Sequence, residues 1–380
     1  MAPDRGGSRR AGAFLLAALA GAAVALGGCV AEGDPEPTAD PSPTVAPATL
    51  TPTAAPATPT VAATQTPTAT ASPSPAPTPP PTPSPPPARV VLAAVGDVML
   101  GRSVGVRLEA EGAGVAFASV RDILAGADIA VANLESAIGV TGAPAPKAYT
   151  FRAPPIAVEA LALAGIDLVS LANNHSLDFG PESLAETRAL LAEAGILSPG
   201  AGPNRAAAHA PATIEREGLT IAFLAYVTVP VERGGYDPST WAARGDTPGV
   251  AWLDIPKMAE EIAAARRDAD LVVVLLHFGM EWEPEPSAAQ REQARAAIDA
   301  GATLVIGSHP HVLQPLEAYG GGLIAYSLGN FVFDGFWDPA NDSAILLVEL
   351  TAAGVAGYEL VPVTIVDGIP TLAAATESGP

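Results

Sequence analysis

From residue 89 onward, short apolar runs end abruptly in polar residues, and the clearest example covers residues 166–172. This run stops at Asn173, Asn174 and His175. Four to eight apolar residues bounded by polar ones are typical of a strand buried on both faces. Four more runs have the same form, over residues 91–95, 129–132, 271–276 and 303–306. Because ligands of α/β proteins gather where such strands end, the pattern predicts a site at these five carboxyl ends.

Helical periodicity separates the apolar runs, which is the signature of an α/β fold. The pattern predicts helices over residues 116–125, 156–163, 181–194, 256–269 and 287–300. It predicts further strands over residues 219–227, 322–327, 344–350 and 358–366, with a long loop over residues 232–249 above one face. We therefore expect a two-sheet core covered by helices over residues 89–368, followed by a disordered tail over residues 369–380.

The first 28 residues have the composition of a secretory signal peptide. Three arginines precede an apolar run over residues 11–26, which leads to Gly27, Gly28 and Cys29. This ending resembles the lipobox of bacterial lipoproteins, so Cys29 is expected to be lipidated and to become the mature N-terminus. A plain signal peptide or an uncleaved anchor is the alternative, although the run is short for a membrane-spanning helix of about 20 residues. Lipidation would place the protein outside the cytoplasm, anchored to the outer face of the cell membrane.

Residues 30–88 contain 19 prolines and 13 threonines in 59 residues, with few large apolar side chains. Such a segment cannot bury enough surface to offset its ordering entropy, so we expect residues 29–88 to form a disordered linker behind the lipidated cysteine. In polyproline geometry this linker would reach roughly 180 Å. It would hold a folded domain away from a membrane.

The formal charge is distributed unevenly. Residues 1–28 carry +2 and residues 29–88 carry −4, so −19 of the total of −21 falls on residues 89–380. An acidic domain argues against nonspecific binding of nucleic acid or anionic lipid. The negative charge does not exclude an anionic substrate held by a few local cations or by a metal.

Four of the five histidines follow predicted strands, whereas His209 lies in a loop without such a context. A lone histidine beside a strand is more often structural, but four in equivalent places favour a metal site. Acidic and amide residues share these positions, and the candidate ligands are Asp97, Glu135, Asn174, His175, His277, His309 and His311. Imidazole, carboxylate and amide ligands suit Mn, Fe or Zn. If His309 and His311 lie in an extended segment, their imidazoles point to one side.

These motifs resemble the CapA-type family of capsule and poly-γ-glutamate biosynthesis proteins, a branch of the metallophosphatase-like superfamily. The resemblance covers residues 90–366. Its carriers are Gly96-Asp97-Val98-Met99-Leu100-Gly101-Arg102, Asn133-Leu134-Glu135, Ala172-Asn173-Asn174-His175 with Asp178-Phe179-Gly180, His277-Phe278-Gly279-Met280-Glu281, Gly307-Ser308-His309-Pro310-His311 and Ser327-Leu328-Gly329-Asn330-Phe331. The resemblance implies a metallophosphatase-like layered sandwich of two mixed β-sheets flanked by helices.

The resemblance also implies a role for each candidate residue. Asp97 would bind a first metal together with His311, and Glu135 would take the place of the bridging carboxylate. The second metal would be bound by Asn174, His277 and His309. His175 would act as general acid or oxyanion stabiliser. One or two divalent ions, Mn, Fe or Zn, are the implied cofactors.

The sequence departs from the superfamily pattern at two of these positions. Met99 stands where the first motif places a metal-binding histidine, and thioether sulfur is a poor ligand for hard cations. Glu135 replaces an aspartate. One of the two metal sites is therefore expected to be weak, empty or completed by another group.

Several side chains near these motifs are candidates for substrate binding. They are Arg102, Asn133, Lys147, Arg152 and Glu281. Arginine pairs with anionic groups through two hydrogen bonds; the alternative is that these cations only solvate loops. The implied partners are an anionic envelope polymer of the poly-γ-glutamate type, the membrane through the lipid anchor, and capsule synthase or export proteins.

Three functions fit these observations. The first is a metal-dependent hydrolase or transferase acting on poly-γ-glutamate or a related envelope polymer. The second is a non-catalytic, polymer-binding component of the capsule machinery, and Met99 favours it. The third is a phosphoesterase of the usual superfamily kind.

Overall fold

The computed structural model describes residues 88–372. Its strands are β1 (Arg89–Val98), β2 (Ile129–Leu134), β3 (Ala137–Ile138), β4 (Arg152–Ala153), β5 (Leu168–Ser170), β6 (Ala201–Gly202), β7 (Ala212–Arg216), β8 (Leu219–Thr228), β9 (Gly249–Val250), β10 (Leu271–Phe278), β11 (Leu304–Ser308), β12 (Leu313–Tyr319), β13 (Gly322–Leu328), β14 (Asn330–Val332), β15 (Asp342–Thr351), β16 (Gly354–Val366) and β17 (Ile369–Leu372). Its α-helices are α1 (Arg102–Glu111), α2 (Arg121–Leu124), α3 (Ile156–Leu163), α4 (Gly180–Glu193), α5 (Arg205–Ala208), α6 (Ile255–Ala265) and α7 (Ala288–Asp299). Short 3₁₀ helices cover Ala113–Val115 and Pro238–Trp241.

Two mixed β-sheets form the centre of the fold. The first has the order β17-β16-β15-β1-β2-β5, with β14 also paired to β1. In it β1 is parallel to β2 and β14, whereas β15, β16 and β17 are antiparallel. The second has the order β12-β13-β11-β10-β8-β7, with parallel inner strands and antiparallel edge strands. Flanked by helices, these sheets confirm the predicted α/β layered sandwich.

Strand β10 explains why a continuous apolar run predicts a central strand. Its residues Leu271, Val273 and Leu275 join the core cluster that contains side chains from both sheets. Val272 and Val274 point the other way, into a second cluster shared with α6 and α7. Because successive side chains of a strand point to opposite faces, both faces of β10 are buried, at about 1.5–3 kcal/mol for each large side chain.

The predicted helices agree with the structure to different degrees. α3 matches the predicted range, and α4 and α7 lie within a residue of theirs, with the side chain of Ser287 capping α7. The helix predicted over residues 116–125 is wrong, because only Arg121–Leu124 is helical and Val120 has no side-chain oxygen to cap it. The preceding helix α1 was not predicted.

The end of the folded part also differs from the prediction. β17 covers the first four residues of the tail predicted to be disordered, and it pairs with β16. Asp367 and Gly368 form the connecting turn, with φ angles of 49° and 79°. An Asp-Gly pair favours such a two-residue hairpin because both positions need positive φ. The sequence therefore contained this signal.

The predicted signal peptide, the lipidation of Cys29 and the linker lie outside the described residues. Within residues 88–372, no helix combines the length and apolar character needed to span a bilayer.

Candidate metal centre

The carboxyl ends of strands from both sheets meet and bring together the polar residues that follow them. β1, β2 and β5 contribute from the first sheet, and β10 and β11 contribute from the second. The residues placed here are Asp97, Glu135, Asn174, His175, His277, His309 and His311, all buried. The site thus lies where two sheets meet and not along the edge of one.

Close backbone packing holds Asp97 at the end of β1. The Asp97 N–H donates to the carbonyl of Gly329 over 2.9 Å. A Cβ atom on Gly96 would lie 1.9 Å from the same carbonyl oxygen, so only glycine fits at that position.

Asn133 lies behind the two carboxylates of the site. Its Nδ2 donates to Asp97 Oδ1 over 2.8 Å and to Glu135 Oε2 over 3.3 Å. Its Oδ1 accepts from Asn173 Nδ2 over 3.1 Å. The expectation that Asn133 contacts substrate is corrected: the side chain is buried and orients the carboxylates.

His277, at the end of β10, connects Asn174 to the carboxylates. Its Nε2 lies 2.9 Å from Asn174 Oδ1, and its Nδ1 lies 2.9 Å from Ser308 Oγ and 3.9 Å from Asp97 Oδ1. Asp97, Glu135 and His277 offer ligand atoms within 4.8 Å of one another. These three residues form the centre of a group that could hold a metal ion.

His309 and His311 reach the site from a turn, which corrects the prediction of an extended segment. Their φ angles are 96° and 59°, in the left-handed region that costs about 1–3 kcal/mol per non-glycine residue. The ring centroid of His309 lies 4.8 Å from that of His277 and 6.0 Å from that of His311. The two imidazoles therefore converge through backbone strain and not through strand alternation.

The residues fit a metal by their unsatisfied ligand atoms. Glu135 Oε1 and both ring nitrogens of His309 are buried without a hydrogen-bond partner. Glu135 Oε1 lies 3.8 Å from His311 Nε2 and 3.8 Å from His175 Nε2. Ligand atoms about 2.0–2.2 Å from a cation are about 3–4 Å apart, and buried polar atoms without a partner are costly. A divalent cation would fit the spacing of these atoms and would give each of them a partner.

The electrostatics of the site favour the ligand forms of two histidines. Burial lowers the pKa of His277 to about 3, and burial together with the neighbouring His277 puts the pKa of His309 well below its usual value. Both imidazoles are therefore neutral at pH 7, the form that binds metals.

The two carboxyl groups have opposite shifts. Burial and the charge of Asp97 raise the pKa of Glu135 well above its usual value. Burial alone would raise the pKa of Asp97, but the hydrogen bond and charge of His311 hold it below its usual range. Burial alone would lower the pKa of His311, but its hydrogen bond to Asp97 and the charge of Asp97 raise it. An added positive charge would relieve the repulsion between the carboxylates.

His175 is oriented by Asp178, a residue of the motifs that carry the family resemblance but one for which no role at the site was predicted. Its Nδ1 lies 2.7 Å from Asp178 Oδ2, and its ring stacks on Phe151 with centroids 4.2 Å apart. Because a carboxylate only accepts, Nδ1 carries the proton and Nε2 faces Glu135. Burial lowers the pKa of His175 despite the charge of Asp178. Asp178 follows His175 by three residues, and that spacing was a usable signal.

Lys147 is buried behind His175 and Asn174. Its Nζ donates to the Asn174 carbonyl over 2.6 Å and to Glu232 Oε1 over 2.8 Å, and lies 3.0 Å from Asp178 Oδ1. Its side chain is 0% exposed. The expectation that Lys147 binds substrate is corrected, because its ammonium is used within the protein.

An open cavity of about 450 Å³ lies in front of His175 and His311. Its lining residues are Arg102, Tyr149, Phe151, Asn174, His175, Glu232, Arg233, Glu281, Trp282, His311, Phe333, Gly335, Phe336 and Trp337. Of the predicted substrate-binding residues, Arg102 and Glu281 thus line this cavity. Arg152 does not: its guanidinium donates to the carbonyls of Thr141 and Gly142 and covers the Phe179 ring, which corrects the expectation for it.

Met99 takes no part in a ligand set. Its sulfur accepts from the Gly101 N–H over 3.1 Å, and its side chain packs with Phe151 and Phe333. These rings contact His175 and His311. The methionine is therefore part of the aromatic support of the site.

Comparisons with known proteins agree on one family. The family model described as "Bacterial capsule synthesis protein PGA_cap" matches residues 91–335. The "PGA biosynthesis protein CapA" of Bacillus subtilis (strain 168) is 34% identical over 279 residues, which are 73% of this chain and 72% of the relative. The "Capsule biosynthesis protein CapA" of Bacillus anthracis is 32% identical over 290 residues, 74% of this chain and 69% of the relative.

One further relative matches over a shorter stretch, and one solved structure is similar at low identity. The "Probable polyglutamine synthesis accessory protein Rv0574c" of Mycobacterium tuberculosis (strain ATCC 25618 / H37Rv) is 37% identical over 218 residues, 54% of this chain and 56% of the relative. A solved hypothetical protein from Thermus thermophilus is 17% identical with a TM-score of 0.44, covering 72% of this chain and 98% of that chain. That structural similarity is too low to support an inference.

Proposed function

The chain belongs to the bacterial capsule synthesis protein family PGA_cap, and from this we propose that it acts in poly-γ-glutamate capsule production through a metal-dependent hydrolase or transferase site. The family match includes every predicted ligand from Asp97 to His311. The name of the Bacillus subtilis relative supports the polymer, and that of the Bacillus anthracis relative supports a role in capsule production. The envelope polymer and the synthase or export proteins of the capsule machinery are the proposed partners.

One observation carries the catalytic part of this proposal. Ligand atoms of Glu135 and His309 are buried and unsatisfied beside the open cavity that His175 and His311 line. A purely structural group of polar residues would satisfy its own hydrogen bonds. A site that keeps such atoms free next to a cavity supports binding of a cation that also contacts a ligand.

Asp97, Glu135, Asn174, His277, His309 and His311 would hold the metal, as Mn, Fe or Zn, one ion or two. When bound, such an ion polarises a substrate oxygen and lowers the pKa of water. Asn133 keeps the two carboxylates in place through its Nδ2 hydrogen bonds.

His175 is the proposed proton-transfer residue. Asp178 fixes the proton on Nδ1, so Nε2 presents its lone pair toward Glu135 and the cavity. In the neutral form favoured by burial, Nε2 accepts a proton from the attacking group and returns it to the departing nitrogen of a cleaved amide.

We further propose the setting of this reaction. The signal-like first 28 residues and Cys29 support lipid anchoring at the outer face of the membrane. The Pro/Thr-rich residues 30–88 support a spacer between the membrane and the domain.

A non-catalytic polymer-binding role is the second candidate. The observation that favours it is Met99, whose sulfur is occupied by the Gly101 N–H at the position of a superfamily metal ligand. One of the two metal positions would then be weak or empty, and a weak site would bind polymer without cleaving it.

The test is to incubate the metal-loaded full chain with poly-γ-glutamate and, separately, with a generic phosphodiester. We expect the polymer to be shortened by the wild type and left intact by His175→Ala, which retains the ligands and therefore the metal. Cleavage of the phosphodiester alone would favour a phosphoesterase. Equal turnover in His175→Ala would refute the role of that residue, and polymer binding without cleavage would support the second candidate.

A further inference from the structure

We propose that Glu232 is a positioning residue for the metal centre, because it fixes the side-chain amide of Asn174 with its oxygen toward the ligands. Glu232 lies on the loop between β8 and β9, from which the sequence predicted no ligand. The inference rests on the proposed function, since Asn174 is a ligand only if the site holds a metal. It assigns a role to a largely buried acidic residue that proton transfer at His175 does not use.

The side-chain amide of Asn174 is held at both of its polar atoms. Its Nδ2 donates to Glu232 Oε1 over 2.9 Å, and its Oδ1 lies 2.9 Å from His277 Nε2. An amide donates only through its nitrogen, and a carboxylate only accepts. Glu232 therefore selects the orientation in which Oδ1 points to His277. That oxygen is the atom through which an asparagine side chain binds a cation.

The contact with His277 does not select this orientation by itself. Nε2 of a histidine donates to an oxygen when it carries a proton and accepts from a nitrogen when it does not. The two orientations of the Asn174 amide exchange an oxygen and a nitrogen of similar size, so packing distinguishes them weakly. The choice between them is made by the acceptor on the other side, which is Glu232.

Lys147 holds Glu232 in the position from which it acts. Lys147 Nζ lies 2.8 Å from Glu232 Oε1, the same oxygen that accepts from Asn174. It also donates to the backbone carbonyl of Asn174 over 2.6 Å. Trp241, on the same loop as Glu232, covers the ammonium with its ring centroid 4.9 Å from Nζ, and such a contact is favourable in a buried site. One buried cation thus connects the loop to the ligand that the loop orients.

The backbone around Glu232 is closed into a turn. The Glu232 N–H donates to the Tyr236 carbonyl over 2.8 Å, and the Gly235 N–H donates to the Glu232 carbonyl over 3.0 Å. Gly234 and Gly235 have φ angles of 97° and 86°, a region that glycine adopts without steric cost. The turn therefore sets the place of Glu232 before any ligand binds.

The experiment measures the affinity of the purified full chain for Zn²⁺ and, separately, for Mn²⁺ by titration calorimetry. Replacing a residue that orients a metal ligand typically lowers metal affinity about 10–100-fold, and we expect a loss of this size in Glu232→Ala. Glu232→Gln should recover most of it, because a glutamine oxygen can replace Oε1 as the acceptor for both Asn174 and Lys147.

A second pair of variants separates orientation from general damage to the fold. Asn174→Asp has two equivalent oxygens, so no partner is needed to turn one of them toward the cation. In the double variant Asn174→Asp/Glu232→Ala, loss of Glu232 should therefore cost little further affinity. A residue that only stabilised the fold would lower metal affinity in both backgrounds.

Glu261→Ala is the matched control. The side chain of Glu261 is 16% exposed, close to the 13% of Glu232. It also interacts with two groups, accepting from Tyr226 Oη over 2.8 Å and lying 3.0 Å from His209 Nδ1. Urea unfolding should show a loss of stability in both alanine variants, whereas metal affinity should fall only in Glu232→Ala.

The outcomes separate this inference from the proposed function. Equal metal affinity of the wild type and Glu232→Ala would overturn the inference alone, as would a loss of the same size in the Asn174→Asp background. An equal loss in Glu232→Gln and Glu232→Ala would overturn it by showing that the charge of Glu232 acts and not its hydrogen bond. A wild type that binds neither ion would overturn the proposed metal site and this inference with it.

Discussion

Replacement of Lys147 by methionine tests the buried charge network behind the candidate site. Lys147 Nζ lies 2.8 Å from Glu232 Oε1 and 3.0 Å from Asp178 Oδ1, and the side chain is fully buried. Methionine fills similar space but leaves two carboxylates with no cation. Removal of one partner from a buried ion pair costs about 3–5 kcal/mol. For a domain of this size, such a loss lowers Tm by on the order of 10 °C.

The assay is urea unfolding of Lys147→Met beside Lys257→Met. Lys257 is the other lysine of the chain, and its side chain is 40% exposed where it pairs with Glu260 and Glu261. A surface pair contributes about 0–1 kcal/mol, so the control should lose little stability. Adding Glu232→Gln to Lys147→Met should restore part of the loss, because one uncompensated charge is removed. Equal stability of the two single variants would show that the buried charge of Lys147 does not stabilise the fold.

Three further predictions concern the metal ligands and the strand that holds them. Glu135→Gln should make metal affinity rise less steeply with pH. The reason is that Glu135, whose pKa is raised, keeps a proton that a cation must displace. Calorimetry at several pH values checks this, and an unchanged dependence of affinity on pH would contradict it. Met99→His should raise the bound metal per chain toward two, measured by elemental analysis, and an unchanged content would place the side chain outside the centre. Gly96→Ala should lose about 3 kcal/mol in urea unfolding because its Cβ would lie 1.9 Å from Gly329 O, whereas Gly114→Ala, with open space around it, should match the wild type.

The strands and their ends were predictable from sequence because the signal is local. A run such as residues 271–276 is apolar at every position, and both faces of β10 are indeed buried. The polar residue that follows, His277, must then lie at the carboxyl end of a strand. Which strands share a sheet was not predictable, because pairing depends on contacts distant in sequence.

The destinations of long polar side chains could not be predicted in the same way. Lys147 was predicted to bind substrate. The loop that contains Glu232 and Trp241 instead packs over it, and its ammonium is buried against them. Asn133 was expected at a substrate, but β2 directs it between Asp97 and Glu135. Both outcomes depend on tertiary contacts that local patterns do not encode.

The turn at His309 and His311 shows a different limit. Two histidines one residue apart are on one side of an extended strand, and that geometry was the prediction. The backbone instead takes positive φ at both positions. The convergence of the imidazoles was therefore predicted, but from a backbone conformation that the structure corrects.

In the proposed site, side chains from five strand ends bind one shared metal centre. The measurement is the metal content of the purified full chain by elemental mass spectrometry, with His309→Ala as the ligand variant. The control is His209→Ala, because His209 pairs with Glu261 away from the site. We predict about one ion or more per chain in the wild type and the control, and a marked loss in His309→Ala. A wild type without stoichiometric metal, or a His309→Ala variant that retains it, would show that these residues do not form a metal centre.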